Sequence, residues 1–239
     1  MSQQIHIVHI YPNDMNTYGD RGNLLTLIKR AEWHGLEPVV HYYHVGDEFP
    51  GQADLVLGGG GEDTAQAAIQ DDILRISNRL HALVAKGVPM LMVCGTYQLF
   101  GKRFVTREGK EIQGIGVFDV ETVGGNKRLV GNAAVETADF GMLYGFENHS
   151  GRTMLGPNQA PLGTVTRGAG NNGTDKTEGA RTHSAIGTYL HGPLLPNNPK
   201  LADSLLVLAM QYQKTEVEFK QIDDTLAQKS RQNAQARKY

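Results

Sequence analysis

Short runs of apolar residues alternate with helical patterns along the first half of the chain. Strands are predicted at residues 5–10, 38–45, 54–57 and 88–93. Apolar residues at helical spacing predict helices over residues 23–33 and 73–85, and a further helix begins at Thr96. Strands that alternate with helices form right-handed crossovers and a mainly parallel sheet flanked by helices. The pattern therefore predicts an α/β fold whose ligands lie beyond the carboxyl ends of the strands.

The second half of the chain is richer in glycine, and its strands are less distinct. Strands are predicted at residues 115–123, 133–136, 163–166 and 184–190, with a polar, glycine-rich loop over 168–179. Asn198 and Pro199 mark the start of a helix that runs to Tyr212, because proline is tolerated at the first helical position. We predict one domain over residues 1–213, followed by a polar helix and tail over 214–239.

Composition narrows the class of protein. A hydrophobic content of 40%, with 20% charged residues, is ordinary for a soluble globular chain of 239 residues. A net charge of -2 gives no electrostatic reason to expect binding to nucleic acid or to an anionic membrane. The single cysteine cannot form an internal disulfide, and no segment has the features of a signal peptide or membrane span. We expect a cytoplasmic protein without a metal site, since no ligand motif for zinc is present.

The only cysteine, Cys94, directly follows the apolar run 88–93, where the predicted strand turns into a helix. Backbone N–H groups at the start of a helix favour the charge of a thiolate, so this position suits a nucleophile. A buried core cysteine is the competing interpretation, because free cysteine is among the most buried residue types. The position of Cys94 alone does not decide between the two.

His191 lies at the end of the predicted strand 184–190 and is followed by Gly192 and Pro193. A histidine in this position is usually structural, but beside a thiol at the same sheet edge it becomes a candidate base. Four consecutive glycines, residues 58–61, follow the third predicted strand. They form either a flexible turn or a turn whose backbone N–H groups approach a ligand or an oxyanion.

Three motifs together resemble a known family. The segments Cys94–Gly101, Gly145–Thr153 and Gly187–Pro193 resemble the class I glutamine amidotransferase domain of the cobyric acid synthase type. Residues 16–25 and 125–132 are similar to the free-standing glutaminase subunits, of the GatD type, of lipid II isoglutaminyl synthases. The resemblance implies a flavodoxin-like, three-layer fold and the hydrolysis of L-glutamine to glutamate and ammonia.

The resemblance also implies roles for individual residues. Cys94 would attack the side-chain amide of glutamine, and His191 would transfer protons, with a glutamyl thioester as the intermediate. The other implied residues contact the substrate: the oxyanion donors Gly60 and Gly95, the carboxylate ligand Arg128, and the pocket residues Gln98, Glu147 and His149. Many family members carry a glutamate two residues after the histidine, where this chain has Pro193. The site is then a dyad, or a carboxylate comes from elsewhere in the chain, such as Asp14 or Asp20, or from a partner; we favour the partner.

The implied partner is a Mur-ligase-like subunit that forms a heterodimer with this chain. It would use ATP to activate the α-carboxylate of D-glutamate in lipid II during peptidoglycan synthesis, so we expect no cofactor on this chain. Two alternatives remain open: an amidotransferase that serves another acceptor, such as a corrinoid carboxylate, and a non-catalytic, partner-binding domain of the same fold. A cysteine peptidase of similar architecture would not account for Arg128.

Overall fold

The computed structural model describes residues 2–236, which form twelve strands in two sheets. The strands are β1 (Gln4–Ile10), β2 (Glu37–Tyr43), β3 (Leu55–Gly58), β4 (Met90–Val93), β5 (Arg103–Val105), β6 (Glu111–Gln113), β7 (Val120–Thr137), β8 (Gly141–Leu155), β9 (Gly163–Arg167), β10 (Thr177–Glu178), β11 (Ala180–Thr182) and β12 (Ala185–Thr188). The helices are α1 (Arg21–His34), α2 (Asp63–Arg75), α3 (Ser77–Ala85), α4 (Gly95–Phe100), α5 (Leu194–Asn197), α6 (Pro199–Tyr212) and α7 (Thr225–Ala236).

The first sheet has the order β11-β12-β4-β3-β1-β2, and all neighbours are parallel except β11 and β12. The parallel part has the strand order of flavodoxin-like folds, with β12 as the fifth strand. Strands β3, β4 and β12 are buried along their whole length, which explains why their sequences do not alternate between apolar and polar residues. The predicted α/β fold with a mainly parallel sheet is confirmed.

Two helix boundaries follow from the local backbone. Gly35 adopts a left-handed conformation, with φ of 85°, and its N–H caps the end of α1. The single helix predicted over residues 73–85 is wrong, because the chain forms two helices there. Ile76, between α2 and α3, has a ψ angle of 2°, which breaks the helical path.

The second sheet is mostly antiparallel and was predicted only in part. Its centre is the long hairpin of β7 and β8, whose register shifts between Gly124 and Leu129. The strand predicted at 115–123 begins only at Val120, and the one predicted at 133–136 is the end of β7. Residues 168–179 form the expected loop apart from the two residues of β10. This sheet brings the bulged turn before Leu129 to the edge of the first sheet that carries the site.

The C-terminal segment packs against the second sheet. Asn132 Nδ2 donates to the Ala234 carbonyl at 3.0 Å, and the Arg231 guanidinium lies 4.8 Å from the centre of the Tyr144 ring. Residues 225–236 therefore form a docked helix, while residues 237–239 of the predicted tail lie outside the described part of the chain. Among residues 2–236, every helix is too short or too polar to cross a bilayer.

Candidate active site

Four adjacent parallel strands end at one edge of the first sheet, and the residues that follow them converge there. Asp20 follows β1, Gly60 follows β3, Cys94 follows β4 and His191 follows β12. The thiol, the imidazole and the carboxylate are almost completely buried, with exposed fractions of 8% for Cys94, 1% for His191 and 3% for Asp20. The structure thus brings together the predicted nucleophile and base, and it adds a carboxylate.

Cys94 occupies a strained turn between β4 and α4. Its φ of 51° and ψ of -101° lie in a region that side chains other than glycine seldom adopt, so surrounding contacts must hold it. The Cys94 N–H donates to the Thr188 carbonyl at 2.8 Å, and the Thr96 hydroxyl bonds both backbone groups of Val93. These bonds present the thiol at the sheet edge, as expected for a nucleophile on a strand-to-helix turn.

His191 is positioned by both sheets. Its N–H and carbonyl form an isolated antiparallel bridge with Phe146 of β8, with N···O distances of 2.9 and 3.1 Å. Nδ1 of His191 lies 3.4 Å from each carboxylate oxygen of Asp20, and the Tyr18 ring packs edge-on at a centroid distance of 4.9 Å. Asp20 therefore orients the imidazole, contrary to our hypothesis that a partner supplies this carboxylate.

The environment of His191 favours its charged form. Burial alone would lower the pKa of His191, but the neighbouring Cys94 and the Asp20 carboxylate outweigh burial and raise this pKa above its usual value. Nε2 of His191 is buried and makes no full hydrogen bond within residues 2–236. Catalytic hydrogen bonds are often long before substrate binds and shorten afterwards. The positions of Cys94 and His191 therefore suit a thiol–imidazole pair.

Gly60 lies between the three groups and leaves them room to meet. A Cβ atom on Gly60 would lie 2.9 Å from His191 Cε1, 3.1 Å from Asp20 Oδ2 and 3.4 Å from Cys94 Cβ. The Gly60 N–H donates to Asp20 Oδ2 at 2.7 Å. Because this N–H already donates to Asp20, Gly60 does not fit its predicted role as an oxyanion donor.

Two other backbone N–H groups fit the oxyanion role. Within residues 2–236, the N–H groups of Gly61 and Gly95 make no hydrogen bond. The two residues touch, since a Cβ atom on Gly95 would lie 2.8 Å from the Gly61 nitrogen. Preorganised, unpaired N–H groups beside a nucleophile are what stabilises the oxyanion of acyl transfer. The predicted donor Gly95 is thus well placed, and Gly61 replaces Gly60.

A cavity of about 280 Å³ opens beside Cys94 and is lined by both charged and polar side chains. Its lining includes Arg128, which lies in β7 within the segment between Gly124 and Leu129 where the pairing with β8 shifts register. Arg128 donates from Nε to Asn148 Oδ1 at 2.9 Å and from Nη2 to the Asn148 carbonyl and the Tyr18 hydroxyl. These bonds hold the guanidinium on the rim, and within residues 2–236 Nη1 makes no hydrogen bond, as expected of a carboxylate-binding arginine.

The predicted pocket residues divide into those that line the cavity and one that does not. Gln98 and His149 line it. Gln98 accepts a hydrogen bond from Gln66 at 2.8 Å and donates to the Tyr189 hydroxyl at 3.0 Å. Glu147 was predicted wrongly: its carboxylate accepts the N–H groups of Ala169 and Gly170, at 2.7 and 2.9 Å, and holds the glycine-rich loop.

Glu178 is a buried carboxyl that sequence reasoning missed. It accepts hydrogen bonds from the Thr188 hydroxyl at 3.0 Å and from the Tyr189 N–H at 2.7 Å, just before His191. Burial raises the pKa of Glu178 to about 7. Its contacts hold the end of β12, and no local sequence signal pairs it with a strand ten residues away. Among residues 2–236, no three His, Cys, Asp or Glu side chains are arranged so that they could hold a metal ion.

Known proteins that are similar to this chain in sequence or in fold include glutamine amidotransferases. The family described as CobB/CobQ-like glutamine amidotransferase domain matches residues 6–199. The chain is 36% identical, over 92% of its length and 90% of the relative, to the subunit GatD of lipid II isoglutaminyl synthase (glutamine-hydrolyzing) from Staphylococcus aureus. It is 38% identical, over 87% of its length and 81% of the relative, to the subunit of the same name from Streptococcus pneumoniae.

Solved structures share the fold at low sequence identity. A crystal structure described as a glutamine amidotransferase superposes with a TM-score of 0.59 and 17% identity, and it covers 84% of this chain and 98% of its own. At this identity the likeness concerns the fold alone. It agrees with the flavodoxin-like order of the first sheet.

Proposed function

Because the chain belongs to the family of CobB/CobQ-like glutamine amidotransferase domains, we propose that it is the glutaminase subunit of a lipid II isoglutaminyl synthase. Membership of the family makes it a glutamine amidotransferase, and its two GatD relatives are named as glutamine-hydrolysing subunits. The observation that carries the proposal is the convergence of Cys94, His191 and Asp20 beside a cavity with Arg128 on its rim.

The first half of the reaction releases ammonia. Sγ of Cys94 attacks the side-chain carbonyl carbon of L-glutamine while Nε2 of His191, whose environment favours the charged imidazole, holds the thiol proton. The carbonyl oxygen becomes an oxyanion and receives hydrogen bonds from the free N–H groups of Gly61 and Gly95. His191 then returns the proton to the nitrogen, the C–N bond breaks, and ammonia leaves a glutamyl thioester on Cys94.

The second half regenerates the thiol. His191 takes a proton from water, and the resulting hydroxide attacks the thioester carbonyl. The C–S bond breaks, glutamate leaves, and the proton on His191 returns to Sγ of Cys94. In both halves Asp20 keeps Nδ1 protonated, so that Nε2 can accept and donate, and it stabilises the imidazolium. Asp20 acts through His191 and is therefore a positioning residue.

The cavity carries the charges that a zwitterionic amino acid requires. Arg128 on the rim suits the α-carboxylate, because its planar fork matches carboxylate geometry. Glu62 and the half-buried Asp63 line the same cavity and suit the α-ammonium group. Gln98 and His149 line the cavity with polar atoms, which suit the side-chain amide of glutamine between the rim charges and the thiol.

The names of the relatives support the proposed acceptor and partner. Both are named as subunits of an enzyme that acts on lipid II, so a second, Mur-ligase-like subunit would use ATP to activate the acceptor carboxylate and receive the ammonia. The pair would form a cytoplasmic heterodimer.

The proposal is tested by co-purifying the chain with the ligase-like subunit of its own organism and supplying lipid II, ATP and glutamine. We expect amidation of the D-glutamate α-carboxylate. The Cys94→Ala complex should amidate with ammonium chloride but not with glutamine, since only the glutaminase step is lost. Release of glutamate without amidation of lipid II, when a corrinoid carboxylate is amidated instead, would point to a different acceptor.

A further inference from the structure

His149 is a buried histidine in the wall of the cavity beside Cys94, and one of its ring nitrogens has no hydrogen-bond partner among residues 2–236. The residue belongs to β8, is 2% exposed, and stacks flat on the Tyr189 ring at 3.7 Å with an interplanar angle of 6°. Nδ1 lies 3.0 Å from the Gly151 carbonyl. Nε2 is buried and, within residues 2–236, makes no hydrogen bond.

These contacts determine the form of the ring. A carbonyl oxygen only accepts hydrogen bonds, so Nδ1 carries the proton and Nε2 presents a bare lone pair. Burial lowers the pKa of His149 to about 3, with a further lowering from the nearby His191. His149 is therefore a neutral acceptor at physiological pH, held in one orientation by its stack on Tyr189.

Gln66 contributes a second buried acceptor to the same wall of the cavity. The Gln66 amide donates from Nε2 to Gln98 Oε1 at 2.8 Å, which leaves its own Oε1 without a hydrogen bond in the described part of the chain. Native proteins rarely leave buried acceptors unpaired, and two of them on one cavity wall indicate a ligand group that donates. A carboxamide donates two N–H bonds, whereas a carboxylate donates none.

We propose that Nε2 of His149 accepts an N–H of the substrate carboxamide and thereby discriminates glutamine from glutamate; the inference rests on the glutaminase function proposed above. Glutamine satisfies the lone pair, so its binding removes an unpaired buried acceptor. Glutamate places a carboxylate oxygen against the same lone pair, which repels it. A site built to hydrogen-bond one substrate group rejects an analogue that lacks the group far more strongly than apolar contacts can.

The consequence concerns the product as well as the substrate. Once the C–N bond breaks and the thioester is hydrolysed, the donor that His149 recognised is gone. Glutamate then leaves a site that no longer offers its side chain a favourable partner. His149 thus acts as a specificity residue for both binding and release.

The test compares three variants of the full chain, with its partner subunit where one is required for activity. His149→Phe keeps a stacking ring but no acceptor, and His149→Gln retains an acceptor oxygen. His6→Phe is the matched control: His6 also stacks on another ring, that of His41 at 5.3 Å, but it lies at the opposite end of β1 from the site. For each variant we would measure the KM for glutamine, the inhibition constant Ki for glutamate, and the rate of Cys94 alkylation by iodoacetamide.

We expect the ratio of Ki for glutamate to KM for glutamine to fall about 10- to 100-fold in His149→Phe, in the range for loss of one buried hydrogen bond. His149→Gln should recover part of the ratio, and His6→Phe should keep the wild-type value. A wild-type ratio in His149→Phe, with normal alkylation of Cys94, would overturn the inference. If the unmodified chain releases no glutamate, the proposed function fails instead.

A measurement on the histidine itself covers the case in which His149→Phe does not fold. In a Cys94→Ala chain labelled with ¹⁵N-histidine, NMR should show the Nδ1–H tautomer of His149. Saturation with glutamine should shift the Nε2 resonance in the direction of an accepted hydrogen bond, and glutamate should not. An unshifted Nε2 resonance in the glutamine complex would overturn the inference.

Discussion

Both carboxylate oxygens of Asp20 lie 3.4 Å from Nδ1 of His191, although the two residues are 171 positions apart in the chain. The same carboxylate accepts the Gly60 N–H at 2.7 Å, so it also ties the four-glycine turn to the site. Many family members carry this carboxylate on a glutamate two residues after the histidine. In this chain that residue is Pro193, which has no carboxylate. The chain therefore supplies its own third member from the loop after β1.

Asp20→Asn should lower kcat for glutamate release by about 10²- to 10⁴-fold. The asparagine oxygen can still accept the Gly60 N–H. The asparagine NH₂ group would, however, donate to Nδ1 of His191, so the ring proton would lie on Nε2. Nε2 could then no longer accept the thiol proton. Steady-state rates at saturating glutamine measure the effect. Asp14→Asn, which changes an exposed acid in the same loop, is the control. A kcat of Asp20→Asn equal to that of Asp14→Asn would show that Asp20 has no part in catalysis.

Gly60→Ala should lower the activity by about 100-fold or more while the fold remains, because ångström-scale displacements of catalytic groups have such effects. The new methyl group would lie 2.9 Å from His191 Cε1 and would push the imidazole away from the thiol. Gly51→Ala is the matched control, since a Cβ atom there meets nothing within 4 Å. Glutamate release and thermal unfolding would be measured for both. Full activity in a folded Gly60→Ala chain contradicts the packing described here.

Arg128→Gln should raise the KM for glutamine by about 10- to 100-fold, which corresponds to the loss of a charged hydrogen bond. The effect on kcat should be smaller, because the α-carboxylate is remote from the reacting amide. Arg107→Gln, an exposed arginine in the turn between β5 and β6, provides the control for loss of one surface charge. If the two variants have the same KM, the α-carboxylate binds elsewhere.

His9 should make the fold sensitive to acid. Burial, with a contribution from Arg21, lowers the pKa of His9 from 6.5 to about 4. Between these values the unfolded chain binds a proton that the folded chain does not, so stability is fully present above pH 6.5 and falls as the pH drops towards 4. The full loss is about 3 kcal/mol for this one group.

His9→Phe should remove this contribution and flatten the dependence of unfolding free energy on pH. Urea unfolding at several pH values between 4 and 6.5 measures the slope for both chains. The two chains differ only at residue 9, so the difference in slope isolates His9. Identical slopes would mean that His9 is protonated to the same extent in the folded and unfolded states.

The site residues that directly follow buried strands could be predicted from the sequence. Cys94 and His191 each follow an apolar run, and parallel strands gather the residues after their carboxyl ends at one edge. Arg128 was assigned only through the family resemblance, because it lies in the segment of β7 where the register shifts and the alternation of the strand is interrupted. For the same reason the second sheet was predicted only in fragments.

Asp20, Gly61 and Glu178 were not assigned from the sequence because non-local contacts position them. The loop that carries Asp20 is closed by the Thr17 N–H, which donates to the Gly60 carbonyl at 2.9 Å. Asp20 of this loop accepts the Gly60 N–H at 2.7 Å, so the choice between Gly60 and Gly61 as oxyanion donor required the structure. The contact of Glu178 with the end of β12 likewise has no local pattern.

The central claim is that Cys94 is the nucleophile of a glutaminase, and mass spectrometry of the chain treated with a diazoketone analogue of glutamine tests it most directly. We predict one adduct on Cys94, slowed by excess glutamine, with glutamate release lost in proportion to labelling and absent in Cys94→Ala. Glutamate release that persists in the fully labelled chain, or in Cys94→Ala, would contradict the account.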